Sequence, residues 1–270
     1  MKSWPTMIHS PWRQSYLSEL TYGEIYSLVN RFVPDRKLRI LDVGCGWGST
    51  SLELARAGHD VLGLDSSQES VQIAKRARSK SLRGRLEYHV VDFTSWKTQD
   101  RYDLAIFSRV LHHIPWPRKT LEKVKGLLSS KGSIICVEYA YDRFDRTSAI
   151  WFYHIRRLLE EAGWFTSSKR VSDNVRVSVN RILREWQTHG RKERLNRFQD
   201  MYRPMRELFR EKHFSWEPYI FWDLIMDMRI RSAETESAVG RFVKENEKVL
   251  IHRGAVSPIL FCFVGERRSS

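Results

Sequence analysis

Apolar positions along this chain change their spacing at about residue 139. Before it, short apolar runs alternate with stretches whose apolar residues recur at helical spacing. Arg39 to Val43 reads as a buried strand, and a helix is expected over about Ser49 to Ala57. Asp60 to Leu64 is a second strand. Ser67 to Arg78 is a helix, with Ser66 or Ser67 as N-cap and Val71, Ile73 and Ala74 among its apolar positions. Leu86 to Val91 and Leu104 to Phe107 make strands three and four. Pro117 opens a helix through Leu128, and Gly132 leads into a fifth strand, Ser133 to Val137. Strands alternating with helices through short turns call for an α/β fold, a parallel sheet covered on both faces.

Beyond Tyr139 residues 147 to 212 are rich in Arg, Glu, Leu and Trp, carry no strand signal and read as several helices. The aromatic stretch Phe214 to Ile225 is expected to be a sixth strand. Glu234 to Leu250 reads as a helix and Pro258 to Val264 as a terminal strand, whose first residue suits proline. The expected organisation is an N-terminal helical segment (1–36), a sheet-forming core (37–146), a helical insertion between strands five and six (147–212) and a C-terminal part that completes the sheet (213–270).

Composition narrows this picture without changing it. A chain of 270 residues, 41% hydrophobic, can bury one good core. No run of eighteen apolar residues is present to cross a membrane, and MKSWPTMIHSPWRQ lacks the apolar centre of a secretory signal. Cys45, Cys136 and Cys262 are far apart and odd in number, which fits neither a disulfide framework nor a zinc spacing; a cytoplasmic location is the expectation. The net charge of +14 is spread evenly, an excess of seven basic residues on each side of Glu138. The densest basic run is Lys75, Arg76, Arg78, Lys80, Arg83 and Arg85. It suits either a nucleic-acid or phospholipid partner or, with more weight, a solvated helix end.

The chemistry concentrates in LDVGCGWGS, Leu41 to Ser49. A strand, then Gly44, Gly46 and Gly48, then a helix is a nucleotide-binding arrangement, because glycines allow a tight turn and close ligand approach. The second strand ends in Asp65, 21 residues beyond Gly44, where a carboxylate can accept both ribose hydroxyls. Asp42, just before the turn, would repel a pyrophosphate. It suits a phosphate-free cofactor carrying an ammonium and a sulfonium, namely S-adenosylmethionine, whose carboxylate the N–H groups at the helix start can receive.

LDVGCGWGS, VLGLDSS, VVDF and YDLAIFSRVLHHI follow one another between Leu38 and Tyr139, with PILFCFVG as a looser match near the end. In these the chain resembles the class I, Rossmann-like S-adenosylmethionine-dependent methyltransferases. The resemblance implies a seven-stranded, mostly parallel sheet with helices on both faces and an antiparallel last strand. It also implies that Gly44, Gly46 and Gly48, with Asp42 and Cys45 in the same turn, line the methionine moiety. Asp65 and Ser66 would meet the ribose, Asp92 the adenine amino group with Phe93 beside the ring, and Ser108 would lie next to the cofactor. Phe93 and Trp96 each suit stacking on adenine or simple packing.

Methyl transfer is a direct displacement at sulfur, so the protein's work is alignment, with a base needed only where the acceptor must lose a proton. His112 and His113, after strand four, are the candidates for that base, although the resemblance favours a structural role for the LHH step, which occurs with varied acceptors. Glu138 and Tyr141, at the end of strand five, are candidates for acceptor contacts. So are Tyr16 and Tyr22 near the N-terminus and Trp151 in the helical insertion, and aromatics of these two regions are expected to roof the pocket as a lid. Ser108-Arg109-Val110-Leu111 stands where amino-group nucleic-acid methyltransferases carry an N-P-P-Y-like loop, and no metal is expected. A small-molecule acceptor methylated on O or N is the favoured reading. The alternatives are an RNA or protein acceptor, motivated by the basic charge, and a non-catalytic cofactor-binding partner subunit. The oligomeric state is left open.

Overall fold

In the computed structural model, which describes residues 15–77, 82–165 and 171–268, seven strands form one sheet. They are β1 (Arg39–Val43), β2 (Asp60–Asp65), β3 (Leu86–Val90), β4 (Tyr102–Ser108), β5 (Leu128–Tyr139), β6 (Phe209–Glu217) and β7 (Leu260–Arg267), in the order β3-β2-β1-β4-β5-β7-β6. β1 pairs in parallel with β2 and β4, β2 with β3, and β4 with β5. β7 is antiparallel. Ile106 and Phe107 are successive residues of β4, so their side chains point to opposite faces, and both are fully buried. Helices must therefore cover both sides of the sheet, and each such side chain stabilises the fold by about 1.5–3 kcal/mol.

The helices are α1 (Ser15–Ser18), α2 (Glu24–Asn30), α3 (Ser49–Ala57), α4 (Gln68–Ala77), α5 (Pro117–Leu127), α6 (Arg146–Glu161), α7 (Val175–Lys192), α8 (Phe198–Leu208), α9 (Phe221–Met226) and α10 (Ala233–His252). A π-helical turn, Glu19–Gly23, joins α1 to α2. The chain divides into two compact units. The first takes in the described residues up to Glu138, Gln199–Ser215 and those from Cys262 onward; the second is Tyr139–Phe198 with Trp216–Phe261. The helical stretch read from the sequence as one insertion is thus shared: α6 and α7 belong to the second unit and nearly all of α8 to the first.

The expected elements of the core appear within a few residues of their predicted ends, except that β5, expected from Ser133 after Gly132, begins at Leu128 and includes Gly132, with a register shift against β4 between Tyr102 and Leu104. Ser67, not Ser66, caps α4, its hydroxyl accepting the N–H of Ser70 at 3.1 Å. Lys75 and Arg76 fall in the last turn of α4, where they complement the helix dipole. Arg83 and Arg85 follow before and at the edge of β3, while Arg78 and Lys80 lie outside the described residues.

The sixth strand requires a correction. Expected over 214–225, it runs over Phe209–Glu217, and Phe221–Met226 is helix α9 instead. Pro218 follows the strand directly and has no N–H to continue a ladder. The buried Glu247 carboxylate of α10 then accepts the N–H groups of Tyr219, Ile220 and Phe221 at 2.7–2.9 Å, satisfying the donors that open α9. A partner 26 to 28 residues away in sequence thus decides what an aromatic stretch with strand propensity becomes.

Candidate active site

β1 ends in a turn held by β2: the N–H groups of Gly44 and Cys45 both donate to the Leu64 carbonyl, at 2.7 and 3.0 Å. Gly44 has φ +69°, and a Cβ there would stand 2.2 Å from Cγ2 of Val110, in the loop after β4. At Gly48, φ +76°, a Cβ would meet the Tyr88 hydroxyl at 2.3 Å, and that hydroxyl donates to the Gly48 carbonyl. These two glycines therefore let the turn pack against β3 and against the β4–α5 loop. Gly46 has nothing within 4 Å of its missing Cβ, so it is the glycine whose backbone is open to a ligand.

Asp65, at the end of β2, grips this turn. Its Oδ2 accepts the N–H of Gly46 at 2.8 Å and its Oδ1 that of Ser67 at 2.8 Å. Each carboxylate oxygen keeps a further acceptor site, so the same group can both shape the turn and receive ligand hydroxyls. Ser66 lies exposed beside it.

Asp42 is buried at the root of the turn. Ser51 donates to its Oδ2 at 2.5 Å, whereas Oδ1 is buried with no hydrogen-bond partner among the described residues. Burial pushes its carboxyl up to about 6, and the nearby charge of Asp65 adds to this against the Ser51 bond. Cys45, between the glycines, is a thiol whose pKa burial raises further, with Asp42 and Asp65 contributing, so it is inert as a nucleophile.

Asp92 follows β3 in a local turn, its Oδ1 accepting the N–H and hydroxyl of Thr94 at 2.7 and 2.8 Å. Phe93, expected either to stack on a ligand or to pack, is buried edge-on against Phe107 at 6.3 Å. Lys123 of α5 braces this turn. Its ammonium lies 4.6 Å from the Phe93 ring centroid and donates to the carbonyls of Phe93, Thr94 and Trp96.

Ser108 ends β4, and the loop beyond it is held by Glu138. Expected at the acceptor, Glu138 is instead fully buried with both oxygens committed. Oε1 accepts the N–H of Val110 at 3.1 Å and of Leu111 at 2.8 Å; Oε2 lies 3.4 Å from the His112 N–H and 2.7 Å from His112 Nδ1. Its place is beneath the loop, because three successive buried backbone donors need an acceptor that no secondary structure supplies. His112 is buried, and exposed His113 packs on it at 4.2 Å between ring centroids.

Arg109 was not among the expected site residues. It adopts φ +56°, in the left-handed region, and its guanidinium carbon lies 5.5 Å from the Tyr22 ring centroid. Tyr22 sits in the π-helical turn and its ring is 6.4 Å from that of Trp47, inside the glycine turn. A non-glycine residue at positive φ is the available signal, and no sequence pattern announces it.

The other expected acceptor residues are placed differently. Tyr16 is buried in α1. In the second unit the Tyr141 ring packs on Gly190, where a Cβ would stand 2.1 Å away, and the Trp151 indole N–H donates to Asn246 Oδ1 at 2.8 Å. Among the described residues, no three His, Cys, Asp or Glu side chains gather in a group that could hold a metal ion, and no helix is long and apolar enough to cross a membrane.

Comparisons with known proteins agree with this geometry. The ubiquinone biosynthesis O-methyltransferase of Cereibacter sphaeroides is 28% identical over 134 residues, 47% of this chain and 51% of that protein. The magnesium-protoporphyrin O-methyltransferase of Rhodobacter capsulatus is 38% identical over 78 residues, 28% of this chain and 35% of that protein. The chain thus matches about half the length of the first of these relatives and less of the second. An S-adenosylmethionine-dependent methyltransferase from Mesorhizobium loti shares the fold with a TM-score of 0.52 at 19% identity, over 89% of this chain and 96% of that one. A protein from Pyrococcus horikoshii OT3 shares it at 0.55 and 17%, over 99% and 97%. The family described as "Methyltransferase domain" matches residues 34–196, and with the glycine turn, the sheet order and the antiparallel last strand this chain belongs to that family, with a class I, Rossmann-like fold.

Proposed function

We propose that the chain is an S-adenosylmethionine-dependent methyltransferase that moves a methyl group to a hydroxyl oxygen of a small molecule, in the cytoplasm. The observation that carries the cofactor assignment is the buried Oδ1 of Asp42, unpartnered among the described residues, at the root of a turn whose middle glycine is open. A dry carboxylate oxygen there favours a cationic donor and disfavours a pyrophosphate. Gly44, Gly46 and Gly48 would hold the methionine end, Asp65 with Ser66 the ribose, and Asp92 the adenine amino group, with Phe93 packing behind it and Ser108 alongside. When bound, the cofactor supplies an activated methyl group on a sulfonium.

The binding of a cation at Asp42 has a pH signature. Folding raises the Asp42 carboxyl to about 6, so between its ordinary value and about 6 the folded chain holds a proton that the unfolded chain lacks, and stability falls as pH rises through that window. A cationic ligand prefers the ionised carboxylate, so affinity runs the other way. Calorimetry with S-adenosylhomocysteine should show binding about tenfold weaker at pH 5 than at pH 7. Asp42→Asn should flatten this dependence; a wild-type affinity unchanged over that range would refute the role.

Oxygen as the acceptor atom is supported by the His112–Glu138 pair. His112 Nδ1 lies 2.7 Å from Glu138 Oε2, an arrangement in which a carboxylate orients an imidazole for a general-base role. The names of the two curated relatives, both O-methyltransferases, point the same way. Transfer of a tritiated methyl group to a panel of hydroxyl-bearing aromatics tests the activity. His112→Ala should lower kcat by about 10²–10⁴ with cofactor affinity intact. The loss should shrink at high pH, where the acceptor hydroxyl ionises unaided. A pH-independent loss would make His112 a structural residue.

A further inference from the structure

The proposed chemistry leaves Arg109, at the start of the β4–α5 loop, unused. We propose that Arg109, whose guanidinium lies over the Tyr22 ring, forms a subsite for a carboxylate or similar anionic group of the ligand held beside the glycine turn; the proposal rests on the methyltransferase reading above.

Three observations converge. The first is backbone strain. Arginine at φ +56° is strained, and the surroundings impose it: the Arg109 N–H donates to the Val137 carbonyl at 2.7 Å, and Glu138 grips the next three residues. An asparagine or glycine would take this position with less strain. The second is unmet bonding. Arg109 Nε is buried with no hydrogen-bond partner, and among the described residues no carboxylate pairs with the guanidinium. Its planar donor fork matches a carboxylate or phosphate, and the Tyr22 ring holds it by one face.

The third is location. Val110, the next residue, packs on Gly44, and Trp47 of the turn lies against Tyr22. The loop carrying Arg109 therefore abuts the turn from one side. Asp42 and Asp65 supply negative charge at the turn itself, while Arg109 is the one lysine or arginine in the adjoining loop, residues 109–116. A ligand with a cationic and an anionic end, or an acceptor with an anionic substituent, would find complementary charge there.

The anion can be the carboxylate of the cofactor's methionine moiety or a carboxylate on the acceptor. Arg109→Asn removes the guanidinium while tolerating the left-handed backbone, and Arg109→Lys keeps the charge without the fork. Calorimetry would compare S-adenosylhomocysteine with methylthioadenosine, which lacks the amino-acid end. It would also compare 3,4-dihydroxybenzoate with catechol on protein loaded with S-adenosylhomocysteine. If the cofactor supplies the anion, Arg109→Asn weakens S-adenosylhomocysteine by about 10–100-fold and leaves methylthioadenosine unchanged. If the acceptor does, it weakens dihydroxybenzoate by a similar factor and spares catechol and S-adenosylhomocysteine. Lysine should fall between. All four affinities unchanged within threefold, in a variant whose Tm matches or exceeds wild type, overturns the subsite. Wild-type protein that binds neither nucleoside defeats the methyltransferase reading instead, and the benzoate–catechol comparison on ligand-free protein then decides the subsite alone.

Discussion

Glu138→Ala is expected to cost the protein several kcal/mol of stability, a large share of the 5–15 kcal/mol a domain of this size has. The carboxylate accepts three successive backbone N–H groups and one imidazole N–H in a fully buried position. Removing it leaves those donors dry, at about 1–3 kcal/mol each. Thermal unfolding should show the loss as a Tm drop of many degrees, with amide exchange at Val110, Leu111 and His112 rising in whatever folded protein survives. Glu138→Gln keeps the shape and one carbonyl acceptor, and should be milder while still disturbing His112. An alanine variant that unfolds within a degree or two of wild type, with those amides still protected, would show that Glu138 does not hold the loop.

Asp65→Ala should abolish measurable binding of S-adenosylhomocysteine, a loss of more than about 100-fold. The carboxylate is engaged twice over, by Gly46 and Ser67 N–H groups that shape the turn and, in the proposed complex, by ribose hydroxyls. Its deletion removes the ligand contact and loosens the surface that presents it. Asp65→Asn retains an acceptor oxygen and should recover part of the affinity. Calorimetry on both variants checks this, with a circular-dichroism spectrum to confirm folding. Binding by the alanine variant within threefold of wild type would defeat the assignment of this turn as the cofactor site.

Much of the frame was legible in the chain. β1, β4 and β5 from Ile134 onward are apolar runs buried on both faces, so their apolar identity survives any detail of packing, while edge strand β3 shows itself by alternation, with Leu86 and Tyr88 buried and Glu87 and His89 exposed. The glycine turn was legible for a similar local reason: left-handed backbone and close approach leave little choice of residue at 44 and 48. The sixth strand was misplaced because Phe214 to Ile225 has strand-like composition throughout. Pro218 and the Glu247 carboxylate divide it, and the second of these is a contact made only on folding.

The roles of the polar residues divide the same way. That one acid stands in β1 just before the turn and another ends β2 is a matter of sequence, and it was enough to prefer a cationic cofactor. That Asp42 has one oxygen satisfied by Ser51 and the other left dry is set by where α3 returns over β1. Glu138 looked like an open-edge acid because it ends a strand where ligands gather in such folds. Burial decides otherwise: with no exposure, a carboxylate must find donors, and the β4–α5 loop supplies them. Lys123 bracing the Phe93 turn and Arg109 stacked on Tyr22 are invisible in the chain for the same reason, since each joins segments separated by tens of residues. By itself, the sequence determined the sheet, the turn and the charge of the ligand that turn prefers, because backbone stereochemistry and burial act on each residue locally. Only the tertiary structure decided which side chains are committed to holding loops and which are left to meet a ligand, because that depends on which donors and acceptors folding brings together in the dry interior.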